Sequence, residues 1–475
     1  MWKLTKEDIK KRFEAHGWFV QKIEGNNLQD FSEAIKNSQG QEEKPSLIIA
    51  RTHIGFGSPN KQDSEAAHGA PLGPDETKLT KENLGWPLEP TFYIPDEVKQ
   101  EFQKVVTNGN DYERRWNEIY ESYKNDNKEL AEEFEDLIIG KLPENWDKNI
   151  PIFNLDESLA TRQASGKTLN ILAENIPAII GGSADLMDST NVRIKTSVDS
   201  LPEAPHGRNI HFGIREHAMG AILHGMAAYG GVIPFGSTFL IFSDYMRGSV
   251  RLASLMGLQI VFIYTHDSIG VGEDGPTHQP IEQVSNLRAV PNLTVIRPGD
   301  ANETVVAWKT ALQITSGPTA LILTRQAVPV LYGEANKNVI SSPENLRKGG
   351  YTLVDSNGLP ELIIIATGSE LHLAVEAQKE LKNKGVNVRI VSMPSWELFE
   401  KQSDDYKEQV LPIAVKKRVS VEAASTFGWE RYIGLEGKAI GMVTFGISAP
   451  GNEVMKKFGF TVDNVVNKSL ELLKK

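Results

Sequence analysis

The sequence contains no cysteine, which excludes disulfide bonds and thiolate catalysis. It also lacks long apolar runs, and no stretch reaches the length needed to span a bilayer. The first residues, MWKLTKEDIKKRFEAHGW, have no apolar segment of the kind found in secretion signals. A chain of 475 residues with these features is predicted to be cytoplasmic, with no membrane partner.

Positive charge is scarce relative to negative charge. The chain has 51 lysines and arginines against 62 aspartates and glutamates, a formal net charge of −11. Such a protein repels the phosphates of nucleic acids and of anionic membrane surfaces. The composition therefore predicts no nucleic-acid partner, although it is compatible with local basic sites. The length is sufficient for about three domains, each with its own core.

Three regions differ in the order of their predicted elements. Residues 1–150 contain two strand-like runs, GWFVQKIEG and SLIIARTHIG, then a charged helical stretch and a polar segment, KLPENWDKNI, predicted to be a linker. Residues 151–331 and 332–475 alternate strands with helices, which is typical of parallel sheets covered on both faces. The predicted fold class is α/β, with doubly wound parallel sheets in a multi-domain chain. Two strands are few for a complete α/β domain, so the first region is predicted to be incomplete.

The patterns also predict individual elements. In the middle region they predict helices at 158–175, 216–229, 239–256 and 301–314, and strands at 178–182, 259–264, 293–297 and 319–325. In the last region LIIIATGS, VNVRIVSMPS and RVSVEAAS predict strands. Gly385 follows a lysine-rich turn and is predicted to end the helix between the first two of these strands.

The most distinctive segment is THDSIGVGEDGPTHQP, residues 265–280, directly after the apolar run QIVFIY. A strand ending at Tyr264 would deliver this loop to the carboxyl edge of a parallel sheet, where open α/β folds bind ligands. His266 and His278 can donate or relay protons near neutral pH, and Asp267 and its acidic neighbours can orient them or accept hydroxyl hydrogen bonds. One such histidine is more often a solvated surface group. The whole set on one loop predicts a ligand site.

Glu216 lies in GIREHAMG, at the predicted start of a helix. Taken alone, a glutamate in a first helical turn is explained by the helix dipole. The later segment STFLIFSDYMR places Phe239, Phe242 and Tyr245 three residues apart, so that they share one face of the predicted helix. An aromatic stripe is usually core, but beside a carboxylate and a histidine loop it can clamp a flat heterocycle by stacking.

Together these segments resemble transketolase. The similarity includes the loop 265–280, GIREHAMG, GGSADL, STFLIFSDY, LTRQ, IGFGSPN and AAHGAPLG, and extends through IATGSE, VSMPS, TFGISAP and FGFTVDNVV. The resemblance implies a thiamine-diphosphate-binding fold and transfer of a two-carbon ketol unit from a ketose phosphate to an aldose phosphate, a step of the pentose phosphate pathway. Dihydroxyacetone synthase is a close relative and stays an alternative.

The resemblance implies roles on the cofactor side of the site. Glu216 matches the glutamate that hydrogen-bonds the pyrimidine ring nitrogen of thiamine diphosphate. Phe239, Phe242 and Tyr245 match the pocket around that ring, and Asp185 matches a nearby pocket residue. These five residues are therefore expected to bind the cofactor, with Glu216 catalytic.

The resemblance also implies a substrate side. The residues that match the family's sugar-phosphate ligands are Arg162, Ser189, His266 and Arg325. Asp274 matches the acid that reads a substrate hydroxyl, while His68 and His278 match the histidines that serve proton movements at the donor hydroxyls and are expected to be catalytic. The segment LMDSTN around Ser189 departs from the family's usual proline-containing form.

Part of the family pattern is absent. Transketolases carry about 200 further N-terminal residues, the size of one more domain, with a Gly-Asp-Gly motif and a downstream Asn that hold a divalent metal and the cofactor diphosphate. The sequence contains no Gly-Asp-Gly, so no metal site is predicted on this chain, and ligands for Mg²⁺ or Ca²⁺ are expected on the missing part. Residues 1–150 are then the remnant of the diphosphate-binding domain plus a linker, 151–331 the pyrimidine-binding domain and 332–475 the C-terminal domain.

The expected partners follow from the same resemblance. The cofactor of this family lies between two subunits, so the expected assembly is a homodimer, or a heterotetramer with a separately encoded N-terminal subunit. A truncated gene is the other explanation. Sugar phosphates are the expected small-molecule partners. A non-catalytic or regulatory partner of a full transketolase is the alternative from another functional class, against which the retained Glu216 and His266 count.

Overall fold

The structure is a computed structural model that describes residues 6–474. Residues 1–5 and 475, at the outer ends of the first and last predicted domains, lie outside the described part. By its internal contacts the chain divides into two compact units, Met1–Glu121 and Ser122–Lys475. Between residues 6 and 474 no helix combines the length and apolar character required to cross a bilayer.

The first unit is built around one parallel pair of strands. Its elements are α1 (Ile9–Ala15), β1 (Phe19–Glu24), α2 (Leu28–Gln39), β2 (Ser46–Arg51), a 3-10 helix (Glu65–Ala67), α3 (Pro74–Asn83) and most of α4 (Asp96–Asp126). β1 pairs with β2 in parallel. The side chain of Asn27 accepts hydrogen bonds from two backbone N–H groups of the first turn of α2, which fixes the start of that helix. The two strands predicted for this region are confirmed.

The second unit contains a six-stranded sheet. Its elements up to the end of this sheet are α5 (Lys128–Ile138), β3 (Ser158–Ala160), α6 (Thr161–Asn175), β4 (Ile179–Ser183), α7 (Met187–Thr190), β5 (Asn209–His211), α8 (Glu216–Tyr229), β6 (Ile233–Phe239), a 3-10 helix (Leu240–Met246), α9 (Arg247–Met256), β7 (Val261–Thr265), a 3-10 helix (Ile269–Val271), α10 (Gln283–Arg288), β8 (Thr294–Ile296), α11 (Ala301–Gln313), β9 (Thr319–Leu323) and β10 (Ala327–Pro329). The strand order is β5-β4-β6-β7-β9-β8, and every neighbouring pair is parallel. The doubly wound α/β architecture is therefore confirmed.

The sequence patterns do not predict β6, although it lies inside the sheet and all its residues are buried. Pro234 and Gly236 explain this, since both residue types normally interrupt strands. The helix predicted at 239–256 is consequently wrong in its first half, because Phe239 ends β6 and a 3-10 helix precedes α9.

Two further predictions need correction. The helix predicted at 158–175 starts later, because Ser158–Ala160 forms β3 and pairs with β10 in antiparallel fashion. The segment predicted to be a linker, residues 141–150, is fastened to the unit. Trp146 and Ile150 pack against the main hydrophobic core, and the amide of Asn175 donates hydrogen bonds to the carbonyls of Trp146 and Lys148.

The last part of the second unit forms a second sheet. Its elements are β11 (Tyr351–Val354), β12 (Leu362–Ala366), α12 (Leu371–Asn383), β13 (Val388–Ser392), α13 (Trp396–Glu400), α14 (Asp404–Val410), β14 (Arg418–Ser425), α15 (Glu430–Ile433), β15 (Lys438–Met442), α16 (Gly451–Lys457) and α17 (Val462–Leu473). The order is β11-β13-β12-β14-β15, with β11 antiparallel at one edge. Gly385, at φ +83°, ends α12 as predicted. One buried core joins Leu321 of β9 with Ile364 of β12, so the two sheets are packed as one body.

Candidate active site

The carboxyl ends of four adjacent strands bring predicted site residues to one edge of the six-stranded sheet. These strands are neighbours in the order β4, β6, β7 and β9. Phe239 is the last residue of β6, and within two residues of the ends of β4, β7 and β9 lie Asp185, His266 and Arg325, respectively. Asp185 and His266 adopt left-handed backbone conformations, with φ of +62° and +59°. Strained backbone of this kind at the ligand edge of an open sheet is typical of functional positions.

His266 lies in a cluster of positively charged groups. Its side chain is buried, and burial together with the charges of Arg162, Arg325 and His278 lowers the pKa of His266 to about 3. Burial, and then the charge of Arg325, also lower the pKa of Arg162. No carboxylate in residues 6–474 forms an ion pair with Arg162 or Arg325. Uncompensated guanidinium groups beside a neutral imidazole form an anion site.

Replacing His266 with glutamine is expected to flatten the pH dependence of stability between pH 6.5 and about 3. In the unfolded chain the imidazole takes its proton at the ordinary pKa of 6.5, whereas the folded protein does so only near 3. The unfolded state binds more protons in this window, so stability is lost as pH falls, by up to about 1.4 kcal/mol per pH unit for this residue.

The measurement is urea denaturation of wild type and His266→Gln at a series of pH values. The exposed His206 provides the control, since His206→Gln should keep the wild-type slope. A His266→Gln protein with the wild-type slope would show that His266 is not buried as a neutral group.

Threonine hydroxyls orient the two histidines of the loop. Thr265 Oγ1 and His266 Nδ1 are hydrogen-bonded at 2.8 Å, and Thr277 Oγ1 and His278 Nδ1 at 2.9 Å. Each imidazole therefore keeps Nε2 available for a ligand. The expectation that Asp267 orients these histidines is wrong, because its carboxylate is buried and bound to an arginine of the same unit. The repeated Thr-His dipeptide was the sequence signal for the true arrangement.

The aromatic stripe faces the histidine loop. The rings of Phe239 and Phe242 stack with centroids 5.9 Å apart, as do those of Phe242 and Tyr245. A spacing of three residues aligns side chains fully on a 3-10 helix, which has three residues per turn. The ring of His266 stacks on Phe239 at 3.6 Å, and that of His278 meets Phe242 edge-on at 5.5 Å. The aromatic residues and the anion cluster therefore belong to one site.

Glu216 is the first residue of α8, which packs against β6 and the following 3-10 helix. Glu216 is 9% exposed, and no residue of the described chain donates a hydrogen bond to its carboxyl group. The carboxyl group is therefore available to hydrogen-bond a ligand. Glu216 beside a stacked aromatic wall therefore fits a flat heterocycle with a ring nitrogen.

The other predicted residues occupy more exposed positions. The carbonyl of Ser189, in α7, accepts a hydrogen bond from Arg162 Nη1 at 2.5 Å, while the Ser189 side chain is exposed. Asp274 is exposed in the loop, next to Glu273, whose carbonyl accepts a hydrogen bond from Ser448 of the second sheet region. His68 is exposed after the 3-10 helix of the first unit. The roles of these three residues stay predictions.

The glycines of the loop serve two different purposes. Gly272 and Gly275 have φ of +86° and +75°, as expected for tight turns. Gly270 has an ordinary backbone but lies against Gln326, where an added Cβ would come within 2.7 Å of the amide nitrogen. Among residues 6–474 no group of three or more histidine, aspartate or glutamate side chains is placed to hold a metal ion.

Three family models match successive parts of the chain. They describe the thiamine diphosphate binding domain of transketolase (residues 2–143), its pyrimidine binding domain (157–330) and a transketolase-like C-terminal domain (349–461). The transketolase of Bacillus subtilis is 49% identical over 472 residues, which are 99% of this chain and 70% of the relative. That of Geobacillus stearothermophilus is 47% identical over the same shares. The chain belongs to the transketolase family.

Solved structures of the transketolase family share its fold. A transketolase of Pichia stipitis in complex with xylulose 5-phosphate matches with a TM-score of 0.92 at 41% identity, over 99% of this chain and 69% of its own. One from Leishmania mexicana matches with the same score and identity, over 68% of its own length. A split-gene transketolase, described as an inactive beta4 tetramer, matches with a TM-score of 0.52 at 26% identity, over 67% of this chain and 99% of its own.

Membership of the transketolase family confirms the main functional prediction. The chain is a transferase of the transketolase type, and thiamine diphosphate is the cofactor of its reaction. The reaction moves a two-carbon ketol unit between sugar phosphates. The matched relatives extend beyond this chain, which spans 70% of their length.

Proposed function

We propose that this chain supplies the sugar-phosphate side and the pyrimidine side of a transketolase active site, and that the metal and diphosphate side comes from sequence outside it. The observation that carries the proposal is the convergence of Arg162, Arg325, His266 and His278 beside the aromatic residues 239–245. An anion site directly beside a wall for a flat ring is what a sugar phosphate and a thiamine pyrimidine require together.

The pyrimidine side rests on Glu216 and the aromatic wall. Bound thiamine diphosphate would supply a carbanion centre able to carry the ketol unit. Glu216 would hydrogen-bond the pyrimidine ring nitrogen, because its carboxyl group has no hydrogen-bond donor in the described chain. Phe239, Phe242 and Tyr245 would stack around the ring, and Asp185 would line the same edge of the sheet.

The sugar side rests on the anion cluster. Arg162 and Arg325 would bind the phosphate through their planar guanidinium groups, with His266 and Ser189 beside them. His278, with Nδ1 held by Thr277, would present Nε2 to the substrate hydroxyls and move protons there. Asp274 would read a further hydroxyl, and His68 would serve proton movements at the donor hydroxyls, as the resemblance implies.

The diphosphate side is proposed to be incomplete in this chain. This part of the proposal rests on the sequence, which has no Gly-Asp-Gly motif. Mg²⁺ or Ca²⁺ would then bind ligands outside the chain, and residues 1–150, 151–331 and 332–475 would be the diphosphate-domain remnant, the pyrimidine domain and the C-terminal domain. The proposed assembly is a homodimer, or a heterotetramer with a separate N-terminal subunit. The cytoplasmic location stays a prediction.

Calorimetric titration of the purified chain tests this division of the site. Thiamine diphosphate is expected to bind weakly and without dependence on Mg²⁺ or Ca²⁺, because the proposal assigns the metal ligands for its diphosphate to sequence outside the chain. Thiamine itself should bind with an affinity similar to that of the diphosphate form. A strong gain in affinity on adding Mg²⁺ would show that the chain carries its own metal and diphosphate site, which contradicts the proposal.

A further inference from the structure

Arg297 connects the histidine loop to the second sheet region through a fully buried set of charges. Its Nε and Nη2 donate hydrogen bonds to Asp267 Oδ2 at 3.0 and 2.7 Å, directly after His266. Its Nη1 donates to Glu370 Oε2 at 2.6 Å. The side chains of all three residues have 0% exposure, so no solvent screens these interactions.

The surroundings leave Arg297 little freedom. Thr367 accepts a hydrogen bond from Nη1 with its carbonyl, and Gly368 lies on the guanidinium face, where an added Cβ would fall 2.4 Å from Cζ. Burial acts to lower the pKa of Arg297, but the charges of Glu370, Asp267 and Glu422 outweigh it and raise the pKa. The guanidinium therefore stays charged and fixed in one geometry.

The other oxygen of Glu370 leads to the second loop of the anion cluster. Glu370 Oε1 accepts a hydrogen bond from the hydroxyl of Ser369, and Ser369 Oγ accepts one from Gln326 Nε2 at 3.1 Å. Gln326 directly follows Arg325, and its side chain lies against Gly270 of the histidine loop. A single buried carboxylate is thus tied to both loops that carry the anion cluster.

We propose that Glu370 is a positioning residue for the anion cluster, one oxygen holding His266 through Arg297 and Asp267, the other holding Arg325 through Ser369 and Gln326. The backbone N–H of Ala423, at 2.8 Å from Oε2, fixes the carboxylate itself. The second sheet region therefore helps to set the geometry of the anion cluster. The inference rests on the proposed function, because it assigns the two loops to sugar-phosphate binding.

Three variants separate the branches. Glu370→Gln weakens both chains of hydrogen bonds that start at this carboxylate. Ser369→Ala removes only the chain to Gln326, and Asp267→Asn weakens mainly the chain to His266. Glu376→Gln, on the exposed face of α12, is the matched control. The first readout is hydrogen exchange of the full chain without ligand, resolved for segments 265–271 and 324–327. The second is calorimetric titration with inorganic phosphate.

Glu370→Gln should accelerate exchange in both segments and weaken phosphate binding, each by about tenfold, because the loss of one hydrogen bond between charged groups changes an equilibrium by about tenfold or more. Ser369→Ala should accelerate hydrogen exchange only in segment 324–327, and Asp267→Asn should accelerate it mainly in segment 265–271. Glu376→Gln should leave exchange in both segments unchanged.

Several results would overturn the inference. One is unchanged exchange in both segments of Glu370→Gln; another is acceleration spread evenly over the chain. If Glu370→Gln does not fold, an unchanged 324–327 segment in Ser369→Ala has the same meaning. Wild type that binds no phosphate would instead contradict the proposed function, while the exchange pattern still decides the positioning role.

Discussion

Glu216→Gln is expected to lower kcat by about 10²- to 10⁴-fold, the usual contribution of a positioned acid or base. The assay is ketol transfer by the chain completed with the N-terminal part of a transketolase relative. Glutamine keeps the size of the side chain but cannot supply the proton that a carboxyl group shares with the pyrimidine ring nitrogen. Glu216 is only 9% exposed and has no donor to its carboxyl group in the described chain, so the carboxyl group is available to the ring nitrogen, and this is the reason to expect such a large effect.

The pattern across kinetic constants distinguishes this role from a structural one. KM for the ketose phosphate should change little, because Glu216 is assigned to the cofactor and not to the sugar. Glu174→Gln, an exposed substitution near the end of α6, should leave both constants unchanged. A Glu216→Gln enzyme with wild-type kcat would remove the main support for the pyrimidine side and favour a non-catalytic partner protein.

Arg325→Leu is expected to raise KM for a phosphorylated ketose by about ten- to hundredfold. This range corresponds to the free energy that is lost with a hydrogen bond to a charged group. Arg325 and Arg162 carry no compensating carboxylate in the described chain, so a substrate phosphate is their natural partner. For the same ketose without its phosphate, wild type and Arg325→Leu should have similar KM values.

A lysine variant and a surface control sharpen this test. Arg325→Lys should lie between wild type and Arg325→Leu, since lysine keeps the charge but loses the planar fork. Arg431→Leu, in the exposed part of α15, should behave as wild type. Equal losses with the phosphorylated and the unphosphorylated ketose would show that Arg325 does not read the phosphate.

Local sequence patterns predict the parts of the site that depend on local structure. The end of β7 before the histidine loop and the start of α8 at Glu216 follow from apolar runs and helix signals, and both agree with the structure. The spacing of three between the aromatic residues correctly predicts a shared face. It does not reveal a 3-10 helix in place of an α-helix, because the same spacing is compatible with both.

Contacts between distant residues are beyond such patterns. Arg297 and Glu370 are 73 positions apart, and Gln326 and Ser369 are 43 positions apart. The position of Asp267 beside His266 in the sequence predicts that it orients the histidines, but the tertiary fold directs its carboxylate to Arg297. β6 is missed for a related reason, since burial inside the sheet overrides the strand-breaking tendency of Pro234 and Gly236.

The division of the active site is tested by ketol transfer, measured for the purified chain alone and after addition of a separately purified N-terminal transketolase fragment that carries the Gly-Asp-Gly motif. Neither part should be active alone, and the mixture should have metal-dependent activity that Glu216→Gln in this chain lowers by about 10²-fold or more. Full activity of the chain alone would contradict the division of the active site.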